Sequence, residues 1–383
     1  MKKLDMKWLV VVTFVIAGAL CGAAIGSYMV TMDETLGEDI SVWNELMKFL
    51  ELILLMYIVY MVNVIIHEGG HLIFGLMTGY KFNSFRIFSV ILIKQNGKLK
   101  IKNISLAGTG GQCLMSPPEL IDGNMPYVLY NLGGVILNVI TSLIFIVIYL
   151  ISLWKLLSLA MIMSAIMGFA SAVVNGIPMK VGDINNDGYN AVQLGSDKDA
   201  LKALWVQLKM NGALAEGIGI REMPEEWFES IDGKNDNPMI TSIKVFYCNR
   251  LMAMHKFEQT KEEIKKVLES SMVLVGVYRY LLICDYIYCE LIDGNIIEAE
   301  EFYTKDLQKF MKSMKKFPAI LRTKYTYELL HNKDSKQAEK LRTLFNIMSE
   351  KYPYTSDIEA ENELMDIAKS IYDGVMDNKI NKK

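Results

Sequence analysis

Two histidines separated by three residues, with a glutamate directly after the first, stand in the stretch Ile66-His67-Glu68-Gly69-Gly70-His71-Leu72. On a helix, positions i and i+4 lie one above the other, so His67 and His71 project from one face with imidazoles close enough to share a metal ion. Glu68 starts one position on, beside that metal rather than opposite it. Two neutral nitrogen donors with a carboxylate placed to take a proton from water at the metal form a zinc-hydrolase pattern. Zinc lowers the pKa of such a water toward about 7, which makes a nucleophile available for a peptide carbonyl.

The same five-residue pattern arises by chance in ordinary soluble helices, but the setting here argues against chance. The chain has only four histidines, two of them in this pattern, and the run before it, Leu52 to Ile66, is apolar and uncharged. An ionisable cluster inside a membrane span is costly and by default functional.

A catalytic zinc takes three protein ligands and keeps a fourth position open. His255 and His331 lie deep in the polar C-terminal half and read as solvated helix residues. A better source follows the last apolar run, where Asn175-Gly-Ile-Pro178 breaks the helix and Gly182-Asp183-Ile-Asn-Asn-Asp187-Gly188 comes soon after. A carboxylate there could return to the metal from the same side of the bilayer. Asp183 and Asp187 are both available.

The elements that must position these groups are membrane helices. The 383 residues are 52% hydrophobic with mean hydropathy +0.23, which in a long chain means that part of it lives in lipid. Length alone suggests about two or three domains. Four stretches satisfy the roughly 20 residues that a bilayer of about 30 Å demands: Trp8 to Met32, about 48 to 80, Tyr127 to Trp154, and Leu156 to Met179. The first reads as retained, because it is too long for a signal peptide and lacks a clear cleavage site.

Orientation follows from Lys and Arg. Lys2, Lys3 and Lys7 precede span one, the loop after it holds Asp33, Glu34, Glu38, Asp39 and Glu45, and the next loop carries Lys81, Arg86, Lys94, Lys98, Lys100 and Lys102. Both termini are therefore expected in the cytoplasm, with His67 toward the cytoplasmic end of span two. Net charge is −3, which gives no reason to expect nucleic acid as a partner. Five scattered cysteines without a CxxC pair read as reduced filler. Between spans two and three, residues 89–104 turn at Asn96-Gly97, the favoured two-residue hairpin turn. Gly108-Thr-Gly-Gly111 and Pro117-Pro118 mark a loop into span three, and a phosphate cradle there has little support.

With these residues on the page, the chain resembles the site-2 proteases, the intramembrane zinc metalloproteases. The resemblance rests on His67-Glu68-Gly69-Gly70-His71, on Gly134-x-x-x-Asn138 in span three, and on Asn175-Gly-Ile-Pro178 with Asp187-Gly188, and it covers about residues 45–195. It implies a catalytic core of spans two to four, with span one as an addition. It makes the aspartate of the Asp187-Gly188 pair the third zinc ligand, although Asp183 has the spacing that many members show. Asp187 is preferred because a following glycine supplies freedom for a tight turn. By the same resemblance Asn138 faces the active centre, orienting substrate or stabilising the oxyanion; an amide in hydrocarbon must in any case find a partner. Gly133 and Gly134 read as close helix contacts, and Asn63 as an interhelical bond or a support for His67.

The implied activity is hydrolysis of a membrane-anchored protein or peptide near the cytoplasmic end of its span, by zinc-activated water with Glu68 as general base. A hairpin edge could hold such a substrate extended, or the hairpin could be a plain surface excursion. The competing reading is a metal transporter or non-catalytic scaffold. A transporter has little use for Glu68 beside two ligands and a distal Asp-Gly pair.

From about residue 199 the chain turns polar and helical. Glu290 to Phe302 resembles Glu328 to Lys340, and Leu251 to Ile264 offers a third copy, a spacing near that of tetratricopeptide helical hairpins. Such arrays present a concave surface to peptides or a regulatory protein. The expected fold class is an all-α polytopic membrane protein with about four transmembrane helices and a membrane-surface β-hairpin, followed by a cytoplasmic helical-hairpin domain resembling tetratricopeptide repeats. Its domains are expected at 1–44 (first transmembrane helix and external loop), 45–198 (metalloprotease core) and 199–383, in the cell membrane.

Overall fold

Long runs without charge become long helices, because in hydrocarbon every backbone polar group must be satisfied within its own segment. The computed structural model describes residues 6–36, 42–104, 110–181, 184–229 and 237–380, and within it the chain divides into two compact units. The first comprises Met1–Lys81, Gly110–Cys113 and Asn124–Asp197; the second comprises Phe82–Thr109, Leu114–Gly123 and Lys198–Lys383.

Four helices build the first unit: α1 (Met6–Leu36), α2 (Val42–Met77), α3 (Val128–Ile151) and α4 (Lys155–Gly176). Each contains a stretch long and apolar enough to cross a membrane, the shortest being the 22 residues of α4. α3 packs on both α2 and α4, and α1 on α4. The buried residues of α3 are Tyr130, Asn131, Gly133, Gly134, Asn138 and Ser142, whereas Leu143, Ile144 and Val147 are exposed. This inverts the soluble pattern, as expected where lipid is the outer solvent and small or polar residues hold helices together.

Glycine fixes how closely these helices approach. A Cβ on Gly70 of α2 would lie 2.2 Å from the carbonyl oxygen of Gly133 on α3, and one on Gly133 would lie 2.4 Å from that of Gly70. The two backbones therefore touch one turn from His67 and beside His71. Beyond α4, β5 (Lys180–Val181) pairs antiparallel with β6 (Ile184–Asn185), and the chain enters the short helix α5 (Asp187–Gln193).

The second unit holds the sheet, apart from Lys81 and the first residues of its last strand. β1 (Lys81–Ile87), β2 (Val90–Gln95), β3 (Lys98–Asn103) and β4 (Gly111–Ser116) run in the order β3-β2-β1-β4. Gln95 pairs with Lys98 across Asn96-Gly97, whose φ values of 50° and 74° are the left-handed pair that a type I′ turn needs. Ile91 and Ile93 bury against Ile104, Ala215 and Tyr352.

The rest is helical: α6 (Lys198–Ala215), α7 (Pro238–Ala253), α8 (Phe257–Glu269), α9 (Gly276–Ile292), α10 (Ile296–Phe302), α11 (Lys305–Ser313), α12 (Pro318–Thr326), α13 (Ser335–Ser349) and α14 (Thr355–Ile380). Chain neighbours pack together, α7 on α8, α8 on α9, α9 on α10 and α12 on α13. The turns α7–α8, α9–α10 and α12–α13 each contain a left-handed residue, His255, Gly294 and Lys333, spaced 39 residues apart. Arg322 is fully buried and donates to Asp285, to Glu361 at 2.8 Å and to the Cys284 carbonyl.

Two outcomes test this packing. Gly133→Val should lower the thermal stability of the detergent-solubilised protein by about 1–3 kcal/mol or more, because the added atoms meet backbone that cannot yield. Gly22→Ala, with nothing within 4 Å of its added Cβ, should be neutral in the same melt. Arg322→Leu strands two buried acids and should cost about 3–5 kcal/mol, read as protease sensitivity of residues 198–380 at lower temperature.

Candidate metal centre

His67 and His71 stand on adjacent turns of α2, and their Nε2 atoms lie 3.4 Å apart. Asp187, the first residue of α5, brings its Oδ2 to 3.2 Å from His67 Nε2 and 3.5 Å from His71 Nε2. Among the described residues these three form the one group of acidic or metal-binding side chains that could hold a metal ion. Asp183 lies outside the described residues.

Asp187 reaches the histidines because Asn186 ties the chain down. The Asn186 side chain accepts from the backbone N–H of Met179 and Tyr189 and donates to the carbonyls of Val174 and Ile177. It caps α5 and locks the end of α4 to the start of α5 at once. Gly188 lets the two segments touch: a Cβ there would lie 2.1 Å from the Gly176 carbonyl oxygen. The expectation that this glycine supplies conformational freedom is therefore replaced by a different requirement. Gly188 is absent from the residues with positive φ, and its missing side chain supplies space.

Proton positions reveal what the cluster fits. His71 Nδ1 is 2.7 Å from the Tyr130 carbonyl oxygen. A carbonyl only accepts, so Nδ1 carries the proton and the neutral ring presents a bare Nε2. Asp187 turns one carboxylate oxygen toward both rings. Its Oδ2 is buried without a hydrogen bond. The His71 lone pair and the Asp187 carboxylate thus converge on the point that His67 Nε2 also faces. Metal–ligand bonds of about 2.0–2.1 Å in tetrahedral geometry put ligand atoms roughly 3.3 Å apart, which matches the three separations. The donor set fits zinc.

Glu68 is buried beside this group, and its carboxylate accepts the backbone N–H of Cys113 on β4. Gly111 makes that approach possible, since a Cβ there would lie 2.6 Å from Glu68 Cγ. Asn138 is wholly buried, with its amide 3.1 Å from His67 Nδ1 and 2.9 Å from Ser171 Oγ. Asn63 bonds its own helix at the Val59 carbonyl. His255 and His331 belong to the second unit and face Glu363 and Glu300.

Several contributors escaped the sequence reading: the Tyr130 carbonyl, Gly111 with Cys113, Asn186 and Ser171. Only Asn186 carries a local signal, as a helix-capping residue immediately before Asp187-Gly188. The others act through main-chain atoms or through contacts distant in sequence.

Two imidazoles and a carboxylate face one point with a second acid against them, on and beside membrane-type helices, a group that could hold a metal ion. The profile of peptidase family M50 matches residues 55–350, and the chain belongs to that family, the site-2 proteases. Members of the family are zinc metalloproteases. Searches of curated proteins and of solved structures found no match.

Metal content tests the centre directly. Protein purified in detergent with about one zinc per chain should lose it on His71→Ala or Asp187→Ala, because two remaining ligands hold zinc poorly. Asp183→Asn should retain it. Zinc lost from the Asp183 variant and kept in the Asp187 variant would reverse the assignment.

Proposed function

We propose that this protein is an intramembrane zinc metalloprotease that hydrolyses a peptide bond in a membrane-anchored protein or peptide. His67, His71 and Asp187 hold the zinc, and Glu68 is the general base. The observation that carries this reading is the spacing of the three donor atoms at 3.2, 3.4 and 3.5 Å with Glu68 held against them.

When bound, zinc supplies a Lewis acid that makes water nucleophilic near neutral pH and polarises the scissile carbonyl. Glu68 takes a proton from the attacking water and delivers it to the leaving amine nitrogen, so that one carboxyl serves as base and then as acid. The Cys113 N–H fixes the direction in which that carboxylate points, and the lack of a side chain at Gly111 keeps the space beside it open. A transporter reading gains nothing from a carboxylate so restrained.

β4 is an edge strand of the sheet, and its first residues line Glu68. This supports presentation of an extended substrate by strand addition, which would free peptide bonds that a helix shields. In this reading β1 backs the edge and the hairpin of β2 and β3 completes the sheet. The three left-handed turns spaced 39 residues apart support a tetratricopeptide-like array in the C-terminal half that engages a regulatory protein or a substrate segment. Lysines before span one and between spans two and three support cytoplasmic termini.

Glu68→Gln separates chemistry from binding. The variant should retain zinc yet lose about 10²-fold or more in turnover. New peptide termini inside membrane-spanning segments, mapped by mass spectrometry of cell membranes, should appear with the wild type and vanish with the variant. Equal cleavage by a zinc-loaded Glu68→Gln protein would remove Glu68 from the mechanism.

A further inference from the structure

His71 has the Tyr130 carbonyl to hold its Nδ1 proton, but among the described residues no backbone acceptor meets His67 Nδ1. The group within reach of its Nδ1 is the Asn138 amide, at 3.1 Å. For Nε2 of His67 to give its lone pair to a metal, the ring proton must sit on Nδ1, and Nδ1–H requires an acceptor. An amide nitrogen facing Nδ1 would instead donate to it and force the ring proton onto Nε2, where ligation is impossible. Amide oxygen and nitrogen exchange places by a half-turn of the side chain, so the proton balance decides between them.

We propose that Asn138 is a positioning residue whose Oδ1 accepts the Nδ1 proton of His67 and thereby fixes the imidazole with Nε2 free for the metal. This deepens the zinc reading above and rests on it. Ser171 Oγ, 2.9 Å from the same amide, donates its O–H to that oxygen as well. Asn175 Nδ2, 3.3 Å from Ser171 Oγ and 3.0 Å from the Ser171 carbonyl oxygen, donates to both. Each bond along the chain Asn175, Ser171, Asn138, His67 then pairs one donor with one acceptor.

The spacing Gly134-x-x-x-Asn138 becomes a single device. A Cβ on Gly134 would lie 2.6 Å from His67 Cε1, so the glycine makes room for the ring. Asn138, one turn on along the same helix face, meets its far nitrogen. Full burial of Asn138 keeps its amide inside the bundle, against the ring. In this assignment Asn138 acts through His67 rather than on the substrate.

The test exploits the difference between accepting and donating. Asn138→Asp keeps the acceptor and loses the donor, Asn138→Leu keeps the bulk and loses both, and Asn138→Ala loses both without crowding. Zinc affinity is measured by chelator competition on full-length, monodisperse protein in detergent, together with the visible spectrum of the cobalt-substituted form. The Asp variant should bind zinc as tightly as wild type or tighter and keep the cobalt spectrum. The Leu and Ala variants should bind about 10- to 100-fold more weakly. An Asp variant as weak as Leu and Ala, or Leu and Ala variants as tight as wild type, overturns the assignment. A wild-type protein that holds no zinc overturns the underlying reading, and this assignment with it.

Discussion

Helix backbones come into contact only where neither carries a side chain, and the candidate centre depends on two such contacts. At one, Gly70 of α2 meets Gly133 of α3, where an added Cβ would sit 2.2 Å from a carbonyl oxygen. At the other, Gly188 of α5 meets Gly176 at the end of α4, with 2.1 Å for the same added atom. The first sets the depth of His67 and His71 against Asn138 and Tyr130. The second brings Asp187 to both imidazoles. Ligand atoms that must stand roughly 3.3 Å apart around a metal tolerate little displacement, so an extra methyl group at either contact acts on the site as well as on packing.

Lipid as the outer solvent explains what fills the space between the helices. Apolar side chains gain little by turning inward, and the buried positions of α3 are held by Tyr, Asn, Gly and Ser. Each polar group taken inside must then be satisfied by its neighbours. Asn138 bonds Ser171 and His67, and Ser171 bonds Asn175, so the bonds that hold α2, α3 and α4 together also meet the His67 imidazole. Stability and site geometry share the same atoms here.

The second unit follows ordinary aqueous rules. Its helices bury apolar faces in clusters such as Ile264, Leu282 and Tyr286, and one of its fully buried charges, Arg322, is surrounded by acceptors. The left-handed residues His255, Gly294 and Lys333 close three helix–helix turns at equal spacing. Glycine stands at only one of the three, which is why the internal repeat is faint at the level of residue identity: the backbone repeats while the side chains vary.

What the sequence by itself determined is local or additive. The i, i+4 placement of His67 and His71 follows from helix periodicity, the four spans from length and the absence of charge, and the turn at Asn96-Gly97 from the left-handed preference of those residues. Tertiary structure decided everything that joins distant segments. It bonds Glu68 to the main chain of Cys113, hands the His71 proton to the Tyr130 carbonyl, and ties Asp187 down through Asn186. None of these has a side-chain signature at the position that matters, because carbonyl and N–H groups are common to all residues and only the fold selects among them. Gly188 shows the limit most clearly. Its place after Asp187 was plain in the sequence, but its purpose, room for a second backbone, depends on Gly176 twelve residues away.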